Sequence, residues 1–316
     1  MPCYNLIQAY RSRFSNSNGN SPITFNYRDS NAIGLKVRCR GCVGCRQRAA
    51  RDRKILGYCE SMIHDDMMFI TLTWDPNHPD FPHAGSIAKP HVQKFVKRLR
   101  KKFPGRKILY YACGEYGEAG PGHHPHYHVI VFGLWFSDAY KWRVSKGHPC
   151  FRSPTLEQLW KFGNSEFGTV TKDSIGYVAG YIHKKITGDQ AEDHYLVEHL
   201  GEAVQVEPEF FLSSSHPAVG RRHFDKYWKH IYTWDSVVMD GKEYSPPEYY
   251  DILLAKEHPQ EWERVCKERR RRAMSADARK DSTPARLHVR ERVAKIRLER
   301  KKRSYESGET VSDRHF

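Results

Sequence analysis

Nowhere in the 316 residues of this chain is there a long apolar run. No stretch approaches the ~20 apolar residues that span a bilayer, which argues against a membrane-spanning helix. The first residues, Met1-Pro2-Cys3-Tyr4-Asn5, lack the charged-then-apolar layout of a secretory signal. Acidic residues are in deficit: 37 Asp and Glu stand against 52 Lys and Arg, for a formal net charge of +15. That excess points to a polyanionic partner, nucleic acid foremost. A cationic membrane-surface protein would want an amphipathic apolar face, and a good candidate occurs only near the C-terminus. There is no internal repeat. The expectation is a soluble intracellular protein, long enough for one large or two small domains.

A disulfide framework is also missing. Of eight cysteines, three form the run Cys39-x2-Cys42-x2-Cys45, Cys3 lies far upstream, and the others are scattered. In an intracellular chain such a cluster reads as a metal site or as reduced structural thiols. Cys39, Cys42 and Cys45 lack a local fourth ligand for a structural zinc site, a place that Cys3 is free to take. The two-residue gaps also resemble part of an iron–sulfur motif.

Periodicity then organises the chain. Residues 11–34 are rich in Ser, Asn and Gly and read as loop or short strands. A basic helix is expected over 46–63, with Arg46, Arg48 and Arg51 as phosphate contacts. Met67 to Thr73 is a β-branched, apolar strand closed by Asp75-Pro76-Asn77. Lys89 to Phe103 is a helix with Val92, Phe95, Val96 and Leu99 on its buried stripe. Strands follow at 107–113 and 126–132, a short helix at 156–162, a strand at 167–171, and a helix at 173–185. This order describes an α+β unit around an antiparallel sheet. The expected organisation is a Cys-rich segment with a basic helix at 1–64, this core at 65–190, an aromatic-rich accessory region at 191–250, and a basic helical region at 251–316.

Two motifs carry chemistry. In Pro125-His126-Tyr127-His128 the histidines alternate along a strand, so both imidazoles face one side and can hold one divalent ion. The preceding strand ends in Cys113-Gly114-Glu115-Tyr116-Gly117-Glu118, which offers a carboxylate; Glu115, at the strand's end, is the better placed and Glu118 the alternative. Downstream, Tyr177 and Tyr181 lie one helical turn apart, with Lys184 three residues after Tyr181 and Lys185 next to it. Taken alone, such a pair fits core packing better than catalysis. A phenol near pKa about 10 is a weak nucleophile. A lysine or an ion-polarised phosphate activates it.

In this order, and with Phe69-Ile70-Thr71-Leu72-Thr73 ahead of them, these motifs resemble the HUH endonuclease superfamily. More narrowly they resemble the replication initiation proteins of gokushovirus-type microviruses, over residues 35–300. The resemblance implies a ferredoxin- or RRM-like antiparallel sheet with packed helices and helical extensions. It implies His126, His128 and Glu115 as ligands of Mg2+ or Mn2+, Tyr177 and Tyr181 as nucleophiles, and Lys184 as the motif lysine. Lys185 would add to DNA binding. The implied activity is nicking of single-stranded or plus-strand origin DNA through a 5′-phosphotyrosine. The freed 3′-OH primes synthesis, and the displaced strand is later rejoined into a circle. The implied partners are the viral replicative-form origin and the host helicase and polymerase, in the bacterial cytoplasm. One departure stands out: Tyr177 has Gly180 where Tyr181 has Lys184, so local chemistry favours Tyr181 as nucleophile. The alternatives are a non-catalytic DNA-binding protein with a cysteine–zinc module, or a mobilisation relaxase of the same superfamily.

Overall fold

A computed structural model describes residues 3–17, 21–117, 120–145, 147–180 and 190–306. The chain begins with β1 (Ile7–Ser12), β2 (Ile23–Thr24), β3 (Ser30–Val37) and α1 (Val43–Ser61). Next come β4 (Met67–Thr73), α2 (Lys89–Lys102), β5 (Leu109–Glu115), β6 (His126–Phe132), β7 (Tyr140–Ser145) and β8 (His148–Arg152). Then follow α3 (Pro154–Leu159), β9 (Ser165–Gly168), α4 (Lys172–Gly180), α5 (Gln190–His194), β10 (Leu196–His199), β11 (Glu202–Gln205) and β12 (Phe210–Ser213). The last elements are α6 (Arg221–Trp234), β13 (Val237–Met239), β14 (Lys242–Tyr244), α7 (Glu248–Glu257), α8 (Pro259–Ala273), α9 (Ala276–Lys280) and α10 (Pro284–Glu306). They fall into two compact units, Met1–Ala49 with Glu263–Phe316, and Ala50–Trp262.

The larger unit is α+β, built on a seven-stranded antiparallel sheet of order β12-β5-β6-β4-β9-β8-β7. β4 and β5 both run antiparallel to β6, so they are parallel to each other and α2 makes the crossover between them. The hairpin from β5 then lays β6 into the gap. β6 therefore lies inside the sheet, which explains its continuous apolar run: Val129, Ile130, Val131 and Phe132 are all fully buried. Alternation divides these residues between two faces. On one, Val129 and Val131 join Met68, Ile70, Leu72 and Ala112 beneath the stripe Val92, Phe95, Val96 and Leu99 of α2. On the other, Ile130 and Phe132 join Leu109, Tyr111 and Cys113 beneath Ile175 and Val178 of α4.

β4, β6 and the buried stripe of α2 lie where the hydrophobic pattern puts them. The sheet is wider than the sequence suggests. The β7–β8 hairpin extends one edge, and β12 extends the other from beyond residue 190, where the sequence pattern ends the core. Residues 11–34, expected as loop or short strands, supply two strands of a three-stranded sheet with β1. β5 runs on to Glu115 because pairing with β6 continues through Glu115↔His126.

β12 docks closely because Gly114 has no side chain. A Cβ there would come 2.7 Å from the Phe210 ring and 3.1 Å from that of Tyr127. Gly114→Ala is expected to push the Phe210 ring out of its place, at a cost of about 1–3 kcal/mol. Thermal unfolding should move down by several degrees; an unchanged melting curve would refute this account of the glycine.

Candidate active site

The end of β6 meets the ends of β5 and β4. Cross-strand register sets Cys113 and Thr71 opposite His128, and Glu115 and Thr73 opposite His126. Directly opposed residues share a face, so both imidazoles and the Glu115 carboxylate converge on the α4 side of the sheet. Glu115 Oε1 lies 3.0 Å from His126 Nε2 and 2.5 Å from His128 Nε2. The carboxylate is buried, with 4 % of the residue exposed. These three side chains offer donor atoms all within 4.8 Å of one another.

Each imidazole is oriented from behind. His126 Nδ1 donates to the His124 carbonyl at 2.8 Å; a carbonyl can only accept, so Nε2 is left to face the carboxylate. Thr71 Oγ1 holds His128 Nδ1 at 3.2 Å, and the Phe69 ring stacks on the imidazole at 5.2 Å and 9°. A neutral His126 turns its Nε2 lone pair toward a carboxylate oxygen. That arrangement is repulsive unless a proton or a metal cation lies between them, and two imidazoles with a carboxylate are a donor set that fits a divalent ion. His123 and His124 are loop residues, and His124 supports the site through its carbonyl.

α4 supplies a phenol. The Tyr177 hydroxyl donates to Glu115 Oε1 at 2.7 Å, and its ring meets His128 edge-on at 5.2 Å. Tyr127 is the contrast. It points to the opposite face, fully buried, and its oxygen accepts the Ala88 N–H. Burial pushes its phenol up to about 12. Tyr181, Lys184, Lys185 and Glu118 lie outside the described residues.

The arginines expected at DNA are held more tightly than a solvated helix face would hold them. Arg46, Arg48 and Arg51 are all half-buried. Arg51 pairs with Asp52 at 2.6 Å and reaches Ser245 Oγ at 3.4 Å. The cysteines are brought together: Cys3 Sγ lies 3.6 Å from Cys39 Sγ and 4.0 Å from Cys42 Sγ, with Cys45 in the same group. Burial raises the Cys42 thiol, but N–H groups of Tyr4 and Cys45 and the neighbouring thiols outweigh it and bring it down to about 7. Burial and the neighbouring thiols push Cys45 up to about 12.

A cleft of about 260 Å³ adjoins the histidine pair on the same sheet face, lined by Thr71, Thr73, Trp142, Arg143, Arg152, Asn164, Ser165 and Glu166. Sequence reasoning passed over it. A register shift between Lys141 and Arg143 turns two consecutive side chains, Trp142 and Arg143, onto one carboxylate. Trp142 Nε1 donates to Glu166 at 3.3 Å, and Arg143 makes a two-pronged pair with it at 2.9 and 2.6 Å. The indole stays 51 % exposed, with the Arg152 guanidinium 5.3 Å from its ring centre. Ser165 Oγ and Arg152 Nε line the cleft with no hydrogen-bond partner. The aromatic and β-branched content of Tyr140-Lys141-Trp142-Arg143-Val144, ahead of Gly147, is a compositional sign of a strand and turn, with no buried face to accompany it.

An antiparallel sheet presenting two histidines and a carboxylate beneath a tyrosine-bearing helix is consistent with an HUH-endonuclease-like fold. A family model described as replication-associated protein ORF2/G2P matches residues 67–186, the segment that holds every one of these motifs. The replication-associated protein VP4 of Bdellovibrio phage phiMH2K is 34% identical over 233 residues, which are 71% of this chain and 69% of that protein. ORF2 of Spiroplasma virus 4 is 28% identical across 82% of this chain and 80% of its own length. ORF4 of Chlamydia phage 1 is 27% identical across 73% of this chain and 56% of its own. The chain belongs to this family of phage replication-associated proteins, the rolling-circle initiator group that its motifs resemble. No solved structure matches it. Among the described residues no helix is long and apolar enough to cross a membrane.

Proposed function

We propose that this protein starts rolling-circle replication of a small single-stranded DNA phage by nicking the plus-strand origin, and later rejoins the displaced strand. The observation that carries the reading is the Tyr177 hydroxyl donating to the same Glu115 oxygen on which both histidines converge. A nucleophile and a cation site are thereby within one phosphate's reach of each other.

Glu115, His126 and His128 would hold Mg2+ or Mn2+, a labile cation suited to phosphate oxygens. Bound there, it would polarise the scissile phosphate and orient it. In the first step a tyrosine oxygen attacks phosphorus. A P–O bond to tyrosine forms, the P–O3′ bond breaks, and the 3′ oxygen leaves as the primer hydroxyl. The 5′ end stays on the protein. One phosphodiester is exchanged for another, so the strand can be rejoined with no external energy source. The reverse attack by a 3′-OH on the phosphotyrosine closes the circle. Tyr177 and Tyr181, four residues apart in the sequence, would provide for two successive cleavages, and Lys184 would steer the phosphate near Tyr181. Host helicase and polymerase would carry out unwinding and extension in the bacterial cytoplasm.

The cleft beside the histidines is where a flanking nucleotide would sit. Trp142 offers a stacking face, and Arg143 and Arg152 line the same cleft. Trp142→Ala is expected to weaken single-stranded DNA binding about tenfold, since stacking contributes roughly 1–3 kcal/mol per base. Fluorescence anisotropy in EDTA would measure it, and an affinity equal to wild type would remove the base from this cleft.

The test of the activity is direct. The protein is incubated with Mn2+ and overlapping single-stranded oligonucleotides tiling the phage genome, then run on a denaturing gel. One tile should yield a covalent protein–DNA adduct and a free 3′-OH fragment. No adduct with any tile would reject the proposal. A non-catalytic DNA-binding protein predicts binding alone.

A further inference from the structure

The replication chemistry makes no use of the four clustered cysteines of the smaller unit, Cys3, Cys39, Cys42 and Cys45. Cys3 comes from the start of the chain, 36 residues before Cys39. Cys39 follows β3, and Cys45 opens α1. Their sulfurs all lie within 4.8 Å of one another, with Cys3–Cys39 at 3.6 Å and Cys3–Cys42 at 4.0 Å. An ion about 2.3 Å from each of four thiolates at tetrahedral corners sets the sulfurs about 3.8 Å apart. The observed edges bracket that value.

Backbone groups are arranged for charge on sulfur. Cys39 N–H donates to Cys3 Sγ and Cys42 N–H to Cys39 Sγ, each at 3.3 Å, and Tyr4 N–H donates to Cys42 Sγ at 3.4 Å. Arg40 takes φ 59°, in the left-handed region. With Gly41 it folds the chain so that the Cys42 amide turns back to Cys39.

The other readings fit less well. A disulfide needs sulfurs about 2.05 Å apart, and all four cysteines are free. A multi-iron cluster anchors its cysteines on different metal atoms, which calls for a wider set than four sulfurs gathered around one point. Four idle thiols leave the capture of Cys3 unexplained.

The smaller unit also needs a staple. Of its three-stranded sheet only Ala9 and Ser12 are buried, while Ile7, Ile23 and Ile33 remain 42 %, 47 % and 60 % exposed. So little buried apolar area stabilises such a sheet weakly, and small units of this kind commonly draw their folding energy from a metal. Four protein ligands close the site to water and substrate, which makes it structural. Thiolates are soft donors that select zinc over the hard cations suited to Glu115 and the histidines.

We propose that Cys3, Cys39, Cys42 and Cys45 bind one zinc ion as thiolates, a structural site that fastens the N-terminal segment to the start of α1. The experiment is metal analysis by mass spectrometry on full-length protein purified without a metal-affinity tag. Wild type should carry one zinc per chain. Cys42→Ser and Cys45→Ser should lose it, while Cys266→Ser and the double variant His126→Ala/His128→Ala should keep it. Should the serine variants fail to fold, wild type exchanged with Co2+ decides: intense thiolate-to-cobalt and tetrahedral ligand-field absorption is expected. Wild type without zinc, iron in its place, zinc lost with the histidines instead of the cysteines, or a Co2+ spectrum without thiolate bands would each overturn the proposal. None of these outcomes depends on nicking, so they leave the replication reading to its own test.

Discussion

The Tyr177→Phe/Tyr181→Phe protein is expected to form no covalent adduct with origin DNA, a loss of at least about a thousandfold, the scale on which removal of a nucleophile acts. Phenylalanine keeps the Tyr177 ring against His128 and takes away only the oxygen. The hydroxyl's hydrogen bond to Glu115 is lost, at a net cost of about 1.5–3 kcal/mol for a bond to a charged group. The fold should survive that loss. DNA affinity in EDTA should stay within about twofold, because binding rests on phosphate contacts and stacking. The single variants then report on the two phenols. If they alternate, each single variant should still form an adduct but fail to complete strand rejoining. An undiminished adduct in the double variant would move the nucleophile away from Tyr177 and Tyr181 and end the mechanism proposed for them.

Glu115→Gln is expected to raise the Mn2+ concentration for half-maximal nicking by about 10–100-fold, the range seen when metal sites lose supporting groups. Glutamine has the same shape, so packing is preserved. It loses the negative charge that offsets the ion's. Its remaining amide oxygen can still meet His126, His128 and the Tyr177 hydroxyl where Glu115 Oε1 does, but it is neutral and a weaker ligand. The NH2 in place of the second oxygen donates and cannot hold a cation. Single-turnover nicking measured against Mn2+ concentration reads this directly. Glu118→Gln, by the same argument, should leave the midpoint unchanged. If Glu118→Gln shifts the midpoint and Glu115→Gln does not, the third ligand has been assigned to the wrong carboxylate.

Some of this architecture is legible in one dimension because it is periodic. The alternation in His126-Tyr127-His128 puts both imidazoles on one face whatever lies beside the strand, since side chains on a strand repeat every second residue. The stripe Val92, Phe95, Val96 and Leu99 marks the buried side of α2 by the helical repeat, and all four are buried. The β7–β8 hairpin escaped the same reasoning. Its exposed positions carry Tyr140, Trp142 and Val144, so it shows no buried face to detect, and a register shift breaks its alternation.

The sequence by itself determined the histidine pair, the tyrosine spacing, the basic character and the central strand. Each follows from local repeat or from composition. Only the tertiary structure decided that Glu115 meets both histidines, that the Tyr177 hydroxyl reaches the same oxygen, that Cys3 closes the cysteine group, and that Trp142 faces a cleft beside Thr71. They depend on the register of β5 against β6, on the packing of α4 over the sheet, on a contact 36 residues long, and on the pairing of β7 through β8 and β9 onto β4. A shift of one residue in register turns every side chain to the other face. Such choices are made by pairing between distant segments, which no local pattern encodes.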